Sequence, residues 1–293
     1  MSRINRLFGE GGFQVSKRKN EKFVKVLIHS VLILFAVLIL IPFYWMFVCS
    51  LKSTGDFYSV TNSLFPLNPT LSNYTELFSG TFFTQWLGNS FYVSILSVLL
   101  GLLICSAAGF AFGIYNFRFK KVIFWTVLGT VAIPEIVTII PVFNIMVKAG
   151  LIDRFASLVL PYAVSMFGIF LIKQYVETSL PNDLIEAARI DGVSEYGIYL
   201  RIALPLIKPG LGVLGIFLWI NSWSSYFWPL IMIRSREMMT LPLGLATLFA
   251  NPWDLKYGVL MAGNMLSTIP IMIIFLTAQE QFIAGLTVGA VKG

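Results

Sequence analysis

Few residues in this 293-residue chain have types and spacings that could support chemistry. The chain has one histidine and two cysteines, so neither a His/Cys metal cluster nor a Cys–His nucleophilic pair is supported. It lacks the Gly-x-x-x-x-Gly-Lys-Ser/Thr loop that binds nucleotide phosphates, so it should not hydrolyse ATP. We therefore predict no catalytic residue, no metal site and no cofactor on this chain, which is not expected to be an enzyme.

One carboxyl group interrupts an apolar segment, where Glu135 directly follows Pro134. Ionisable groups in such segments are typical of ion-coupled secondary transporters, in which they relay protons. Alternatively, the carboxyl could satisfy backbone groups that the proline leaves without partners, and the sequence favours this interpretation. His29 and Lys173 fall near the ends of apolar segments and add no second relay group.

Residues 180–210 form the most informative polar stretch and read LPNDLIEAARIDGVSEYGIYLRIALPLIKPG. Pro181 suits a first helical turn, and Asp183 and Glu186 place acidic groups near the positive end of the helix dipole. Ala187 and Ala188 are strong helix formers whose small side chains let another surface approach closely. The pattern predicts a short amphipathic helix.

A break and a second helix should follow this first helix. Gly192 comes where a left-handed residue would close a helix, and Ser194 can cap the next one. Pro205 lacks the donor that helix continuation needs, so the second segment should end or bend there. A short helix that lies crosswise on a membrane has a shape that a partner protein could bind. An amphipathic helix at the membrane interface is the simpler alternative.

Composition identifies the elements that must position this loop. The chain is 57% hydrophobic and 12% charged, which leaves too little polar surface for a water-soluble globule. Backbone groups in hydrocarbon must be satisfied internally, so we predict an all-α bundle of spanning helices and not a barrel. The predicted transmembrane domain covers 27–280, with six spans near 27–48, 89–113, 122–147, 156–176, 210–233 and 259–279.

Basic residues predict the orientation of these spans. A basic segment, 1–26, precedes the first span, and a tail, 281–293, follows the last. Fifteen of the 21 Lys and Arg residues would lie on the side of the two termini and six on the opposite side. Cytoplasmic loops carry the excess of basic residues, so both termini and the loop 180–209 are predicted to be cytoplasmic. The net charge of +7 thus reflects membrane topology and lipid contact, with no nucleic acid as a partner.

The loop residues resemble the EAA loop of bacterial ABC importer permeases. The resemblance runs from Glu186-Ala187-Ala188 through Gly192 to Ile202 and Leu204-Pro205. In that family the loop contains a coupling helix that sits in a cleft of the cytoplasmic ATPase subunit. The resemblance implies the type I permease fold of these importers. It also implies docking residues, namely Glu186, Ala187, Ala188, Gly192, Leu204 and Pro205.

Other stretches resemble the carbohydrate-uptake branch, particularly the smaller permease of maltose-type importers. They include Ala132-Ile133-Pro134 through Pro141 and the ending from Gly285 to Gly293. In that branch the tail reaches the ATPase dimer interface, which implies contacts by Gly289, Lys292 and Gly293. The small residues of this tail would let backbone enter a narrow cleft.

The fifth span contains a stretch that resembles the branch with one departure. Where the family often has Asn followed by an acidic residue after a tryptophan, this chain has two serines. Hydroxyl, amide and aromatic groups cluster there and are candidates for the substrate path: Asn221, Ser224, Ser225 and Tyr226. Interhelical hydrogen bonds and an interfacial aromatic belt would explain the same residues.

A second external feature follows Thr240-Leu241-Pro242, which also fits the branch. In maltose-type importers an external loop here probes the cleft of the binding protein, so Trp253 and Asp254 are candidates for that contact. A turn anchored at the membrane surface is the alternative.

The resemblance implies a bacterial inner-membrane, multi-pass subunit of an ATP-driven importer for a sugar or oligosaccharide. The implied partners are a second, related permease chain, two cytoplasmic subunits that bind ATP and Mg, and an extracytoplasmic solute-binding protein. A permease for a non-sugar solute and an ion-coupled secondary transporter are the alternatives.

Overall fold

A computed structural model describes residues 11–57, 64–66, 68–249 and 256–288. Within these ranges the chain is helical and contains no strand, which confirms the all-α prediction. The α-helices of five or more residues are α1 (Gly11–Ser50), α2 (Ser72–Gly80), α3 (Phe83–Ile114), α4 (Lys120–Gly129), α5 (Glu135–Lys148), α6 (Phe155–Val159), α7 (Met166–Ser179), α8 (Asn182–Ile190), α9 (Lys208–Trp223), α10 (Phe227–Met232), α11 (Leu241–Thr247) and α12 (Tyr257–Val288).

Several of these helices are long and apolar enough to cross a bilayer. Three do so without interruption, namely Phe23–Ser50 within α1, the whole of α3, and Tyr257–Thr277 within α12. Three further pairs meet the criterion only together and are bent at a break, by 106°, 40° and 79°. The described chain thus has three crossing segments, or up to six if each bent pair crosses once, and the count of six stays a prediction.

The predicted span 122–147 is broken. A single 3-10 turn, Thr130–Ala132, follows α4, and the chain bends by 106° before α5 begins. Ile133 is extended, with ψ at 120°, because a residue that precedes proline avoids the helical conformation. Pro134 then leads directly into the first turn of α5.

The predicted spans 156–176 and 210–233 are also divided. Ser165 is extended, and its hydroxyl accepts a hydrogen bond from the Gly168 amide at 3.0 Å, which starts α7. The fifth segment ends at Trp223, ten residues before its predicted end, and a separate helix α10 follows. Pro229 lies in the first turn of α10, where a missing backbone donor is tolerated, so the chain starts a new helix there.

The helices of the first and last spans extend into the predicted terminal segments. Helix α1 begins at Gly11 and α12 extends to Val288, so parts of 1–26 and 281–293 continue the flanking helices. No proline interrupts either stretch, and continued helix satisfies the backbone hydrogen bonds.

Helix α3 is the centre of the bundle and packs on both α7 and α9. It carries a small residue at every fourth position from Ser97 to Gly113, so these residues share one face. A methyl group added at Gly109 would lie 2.7 Å from the Ile172 Cβ of α7, and one at Gly101 would lie 2.6 Å from Leu218 Cδ1 of α9. Small residues therefore let the three backbones approach closely, as is usual between helices in membranes.

Candidate functional site

Helix α8, the first helix of the predicted coupling loop, is closed by a Schellman motif. Gly192 has a φ of +78° and donates to the Arg189 carbonyl at 3.0 Å. The Val193 amide donates to the Ala188 carbonyl, also at 3.0 Å. These are the two hydrogen bonds of the motif, and glycine enters the left-handed conformation without steric cost. The predicted role of Gly192 in ending the helix is confirmed.

The next helical segment begins as predicted and bends later than predicted. Ser194 Oγ accepts a hydrogen bond from the Gly197 amide at 3.2 Å, which caps the segment. A π-helical stretch, Ile198–Ala203, precedes Pro205, which occupies the first turn of a short α-helix. The 79° bend therefore falls at Ile207, two residues beyond Pro205, and α9 starts immediately after it.

The structure divides the predicted docking residues between surface and core. Glu186 and Ala187 are exposed on α8, as is Gly192 at its end. Ala188 is only 7% exposed and belongs with Ile185 to the cluster of apolar side chains under the loop. Farther along, Leu204 is half-buried and Pro205 is exposed. Of the two alanines, only Ala187 is placed to touch a partner, while Ala188 lets α8 lie close to its own bundle.

Several apolar side chains of this loop are exposed, and the sequence analysis did not predict their exposure. Ile190 is 86% exposed and Tyr196 is 77% exposed, and Leu200 is exposed as well. The helical period contained a signal for Ile190, because it lies five residues after buried Ile185 and so falls off the buried face of α8. These side chains add apolar area to the surface around Glu186.

An ion pair fixes the two helical segments of the loop to each other and to α3. Arg189 Nε donates to Glu195 at 2.7 Å, and the hydroxyl of Tyr115, just beyond α3, donates to the same carboxylate at 2.7 Å. The hydrogen bond from Arg189, and then that from Tyr115, lowers the pKa of Glu195. Burial and the bond to Glu195 raise the pKa of Tyr115 to about 12. The Glu195 carboxylate therefore connects the loop to the bundle.

The predicted substrate-path residues do not converge on one place. Asn221 is exposed, and its Nδ2 donates to the Phe217 carbonyl of its own helix at 3.0 Å. Ser224 lines a cavity of about 140 Å³ together with polar groups of α12, including Asn264. Ser225 lies 2.7 Å from the Tyr162 hydroxyl, and Tyr226 is 42% exposed. The break at the end of α9 separates these side chains.

A second cavity, of about 390 Å³, lies beside the Tyr162–Ser225 contact and includes Glu135 in its wall. No described residue donates a hydrogen bond to the Glu135 carboxylate, so the expectation that it satisfies loosened backbone is wrong. The reason is local, because the carboxylate starts α5 and lines the cavity beyond the break.

The remaining predicted site residues lie outside the described residues. These are Trp253 and Asp254 in the external loop, and Gly289, Lys292 and Gly293 in the tail. Within the described ranges no group of three or more His, Cys, Asp or Glu side chains is placed to hold a metal ion.

The described chain is thus a multi-pass bundle of apolar helices with a short helix and turn between two of its segments. The same fold is found in a crystal structure of a bacterial ABC transporter involved in the import of the acidic polysaccharide alginate. The match has a TM-score of 0.77, covers 89% of this chain and 97% of that one, and has 22% sequence identity. The match shows that the two chains share this fold.

The chain belongs to the family of binding-protein-dependent transport system inner membrane components, whose profile matches residues 106–288. It is 42% identical over 230 residues to the arabinooligosaccharides transport system permease protein AraQ of Halalkalibacterium halodurans, covering 78% of this chain and 81% of the relative. It is 30% identical over 280 residues to the sn-glycerol-3-phosphate transport system permease protein UgpE of Agrobacterium fabrum, covering 92% and 98%.

Proposed function

We propose that this permease is one of two membrane subunits of an ATP-driven importer that moves a sugar or oligosaccharide into a bacterial cell. An extracytoplasmic binding protein delivers the solute, and two cytoplasmic subunits bind ATP and Mg and hydrolyse the ATP. A second permease of related sequence completes the path. The chain then lies in the inner membrane with its loop 180–209 in the cytoplasm.

The observation that supports ATPase coupling best is the architecture of that loop. Helix α8 is short, closed by Gly192 and exposed at Glu186 and Ala187, while its other face is buried in the bundle. A partner that binds the exposed side of α8 would therefore move a helix that is packed tightly on the spans. This is the arrangement that a coupling helix requires.

Two contacts would carry such a movement into the membrane. The Glu195 carboxylate joins the loop to the end of α3 through Tyr115, and the π-helical segment leads directly into α9. Helix α3 in turn packs closely on α7 and α9 through its small residues. We infer that closure of the ATPase subunits tilts these three helices together.

The name of the arabinooligosaccharide permease supports a saccharide as the transported solute. A second candidate is a phosphorylated polyol, which is favoured by the similarity to the sn-glycerol-3-phosphate permease. An ion-coupled transporter receives less support, because such a protein needs a series of relay groups, and Glu135 is the single Asp, Glu, His, Lys or Arg among the described residues that line its cavity.

The experiment compares Glu186→Lys with Glu237→Lys in the complete transporter reconstituted with its binding protein. Both substitutions reverse an exposed carboxylate, but Glu237 lies outside the loop, between α10 and α11. We expect Glu186→Lys to abolish uptake of arabinotriose and its stimulation of ATP hydrolysis, while Glu237→Lys retains both. Unchanged arabinotriose-stimulated ATPase activity in Glu186→Lys would contradict the docking role.

Uptake of sn-glycerol-3-phosphate in place of arabinotriose by the unmodified transporter would identify the second candidate as the substrate. Uptake of arabinotriose driven by a proton gradient without ATP would reject the ATP-driven mechanism.

A further inference from the structure

Three interrupted segments meet around the cavity of about 390 Å³. Glu135 comes from the start of α5, Tyr162 from the 3-10 turn Leu160–Ala163, and Trp228 from α10. Irregular backbone at membrane depth is tolerated where it lines a cavity, and discontinuous helices commonly build the substrate sites of transporters. A cavity lined by such breaks is therefore a candidate contact site for a transported solute.

The wall of this cavity is apolar apart from a few polar groups, as in most small-molecule sites. Tyr162 and Ser225 share a hydrogen bond of 2.7 Å, and the Trp228 indole is fixed by donating to the Ser157 carbonyl at 2.8 Å. Thr138 Oγ1 donates to the Glu135 carbonyl at 2.8 Å, one turn into α5. Glu135 supplies the charged group among the lining residues.

The Glu135 carboxylate is open to a ligand in this cavity. It lies in the first turn of α5, where the positive end of the helix dipole favours negative charge. No described residue donates a hydrogen bond to it, so its oxygens remain available as acceptors. A ligand for this cavity must therefore carry hydrogen-bond donors and no negative charge.

We propose that this cavity is a transit subsite for an uncharged saccharide unit and that Glu135 makes it selective against anionic solutes. Sugar hydroxyls donate strong charge-assisted hydrogen bonds to the carboxylate, and the rings of Tyr162 and Trp228 offer apolar faces. An anionic solute meets a like charge in a site whose described lining residues include no Lys or Arg to compensate it. This inference rests on the proposed sugar-import function and specifies its substrate class.

The first test measures the charge selectivity of the cavity without any substrate. In the complete transporter in nanodiscs, Thr138→Cys is introduced into a chain that carries Cys49→Ala and Cys105→Ala. Modification of this chain by cationic and anionic methanethiosulfonates is followed by mass spectrometry. We expect the cationic reagent to react faster, and Glu135→Gln to lower the ratio of the two rates by about tenfold, as expected for one nearby charge.

Glu237→Gln is the control, because it removes an exposed carboxylate outside the cavity and should leave the ratio unchanged. An unreactive thiol at position 138, or a ratio that Glu135→Gln does not alter, would overturn the selective role of Glu135.

The second test identifies the occupant with two probes that differ by one charge. Arabinotriose should slow modification of the introduced thiol by a neutral maleimide at least threefold, whereas the aldonate made by oxidising its reducing end should not. Glu135→Gln should reduce the difference between the probes. If arabinotriose is transported but protects nothing, the subsite is rejected and the proposed function stands. If it is neither transported nor protective, the saccharide assignment itself is rejected, whatever the charge selectivity.

Discussion

The amide side chain of Asn73 ties the segment after α1 to the end of that helix. It is 5% exposed, and its Nδ2 donates to the carbonyls of Ser50 and Lys52, both at 2.8 Å. The backbone of Gly258 in α12 packs against the same amide, so closely that an added methyl group would overlap it. One side chain thus joins α1, α2 and α12.

Substitutions at Asn73 should destabilise the protein in a defined order. Asn73→Ala removes the amide donor that the Ser50 and Lys52 carbonyls share, and a buried group that loses its hydrogen-bond donor costs about 1–3 kcal/mol. Asn73→Asp should be worse, because it places an acceptor against two acceptors. Thermal unfolding of the purified transporter checks this order, with exposed Thr75→Ala as the control. An aspartate variant as stable as the alanine variant would contradict the double-donor role.

Asp153 makes a contact with the segment after α10 that should depend on pH. It adopts a φ of +57°, and its carboxylate accepts hydrogen bonds from the amides of Arg234 and Ser235 at 2.9 and 3.0 Å and from the Ser235 hydroxyl. The hydroxyl bond of Ser235, followed by its amide bond, lowers the pKa of Asp153 below its ordinary value of 3.8. The stability that this carboxylate contributes is therefore present above about pH 4 and is lost as the pH falls through the lowered pKa.

Asp153→Asn tests this pH dependence, because asparagine tolerates the same left-handed backbone but has no charge. At pH 7 the variant should be less stable by about 1 kcal/mol or less, since solvent screens the half-buried carboxylate. The two melting temperatures should converge as the pH falls below the pKa of Asp153. A difference between them that stays constant down to pH 3 would show that the charge is not responsible.

At the scale of elements, the stability of the bundle depends on how closely α3 packs against its neighbouring helices. An Ala side chain at position 109 would bring its Cβ within 2.7 Å of Ile172 Cβ and 3.0 Å of the Lys173 amide, so Gly109→Ala must separate α3 from α7. We expect it to destabilise the protein by about 1–3 kcal/mol. Gly129→Ala, which has no atom within 4 Å of the added group, should instead gain up to about 1 kcal/mol from helix propensity. Equal unfolding temperatures for the two variants would contradict the packing argument.

The proposed coupling role of α8 can be tested with two glycines of the same conformation. Gly192 ends α8 and Gly150 follows α5, with φ of +78° and +67°, and at neither position would an added methyl group have a neighbouring atom within 4 Å. Alanine at either position should destabilise the fold similarly, by about 1–2 kcal/mol. Only Gly192→Ala should also reduce stimulated ATPase activity, because it alters the end of the proposed docking helix. Equal loss in both variants would attribute the effect to stability alone.

Local chemistry explains which elements the sequence could predict. Gly192 and Ser194 act on backbone within a few residues, so the helix, turn and second helix of the loop could be predicted from them. Pro134 likewise shows where α5 must begin. The contact of Tyr115 with Glu195 joins residues 80 positions apart, and burial of Ala188 depends on the bundle beneath it. Such tertiary contacts leave no trace in local spacing.

The cavities could not be predicted from the sequence either, because they form where segments that are distant in the chain end close together. Ser224 and Ser225 are neighbours in the chain, yet the end of α9 directs Ser224 to a cavity beside α12 and Ser225 to the Tyr162 hydroxyl. The sequence shows that Glu135 is an unusual carboxyl in an apolar segment. Its position beside Tyr162 and Trp228 depends on breaks in three separate helical segments.

At the scale of the whole molecule, helix α1 is the least enclosed element. Its apolar side chains from Phe23 to Ile41 are exposed, and it packs mainly on α12. A cavity of about 610 Å³ with an apolar lining separates parts of α1, α9 and α12. This apolar surface fits lipid or another hydrophobic helix, in agreement with a subunit that spans the membrane within a larger assembly.

The orientation of the chain in the membrane is predicted from the basic residues and can be tested at two loops. Position 63 lies in the predicted external segment, and Asp191 is exposed next to the end of the predicted coupling helix. In intact cells an impermeant maleimide should label Ser63→Cys and should not label Asp191→Cys, whereas in inside-out vesicles the pattern should reverse. Because an even number of crossings separates α8 from the amino terminus in the predicted topology, labelling of both positions from one side would reject the six-span arrangement. Labelling of Ser63→Cys only from the cytoplasmic side would instead invert the topology, and the loop could then not meet an ATPase.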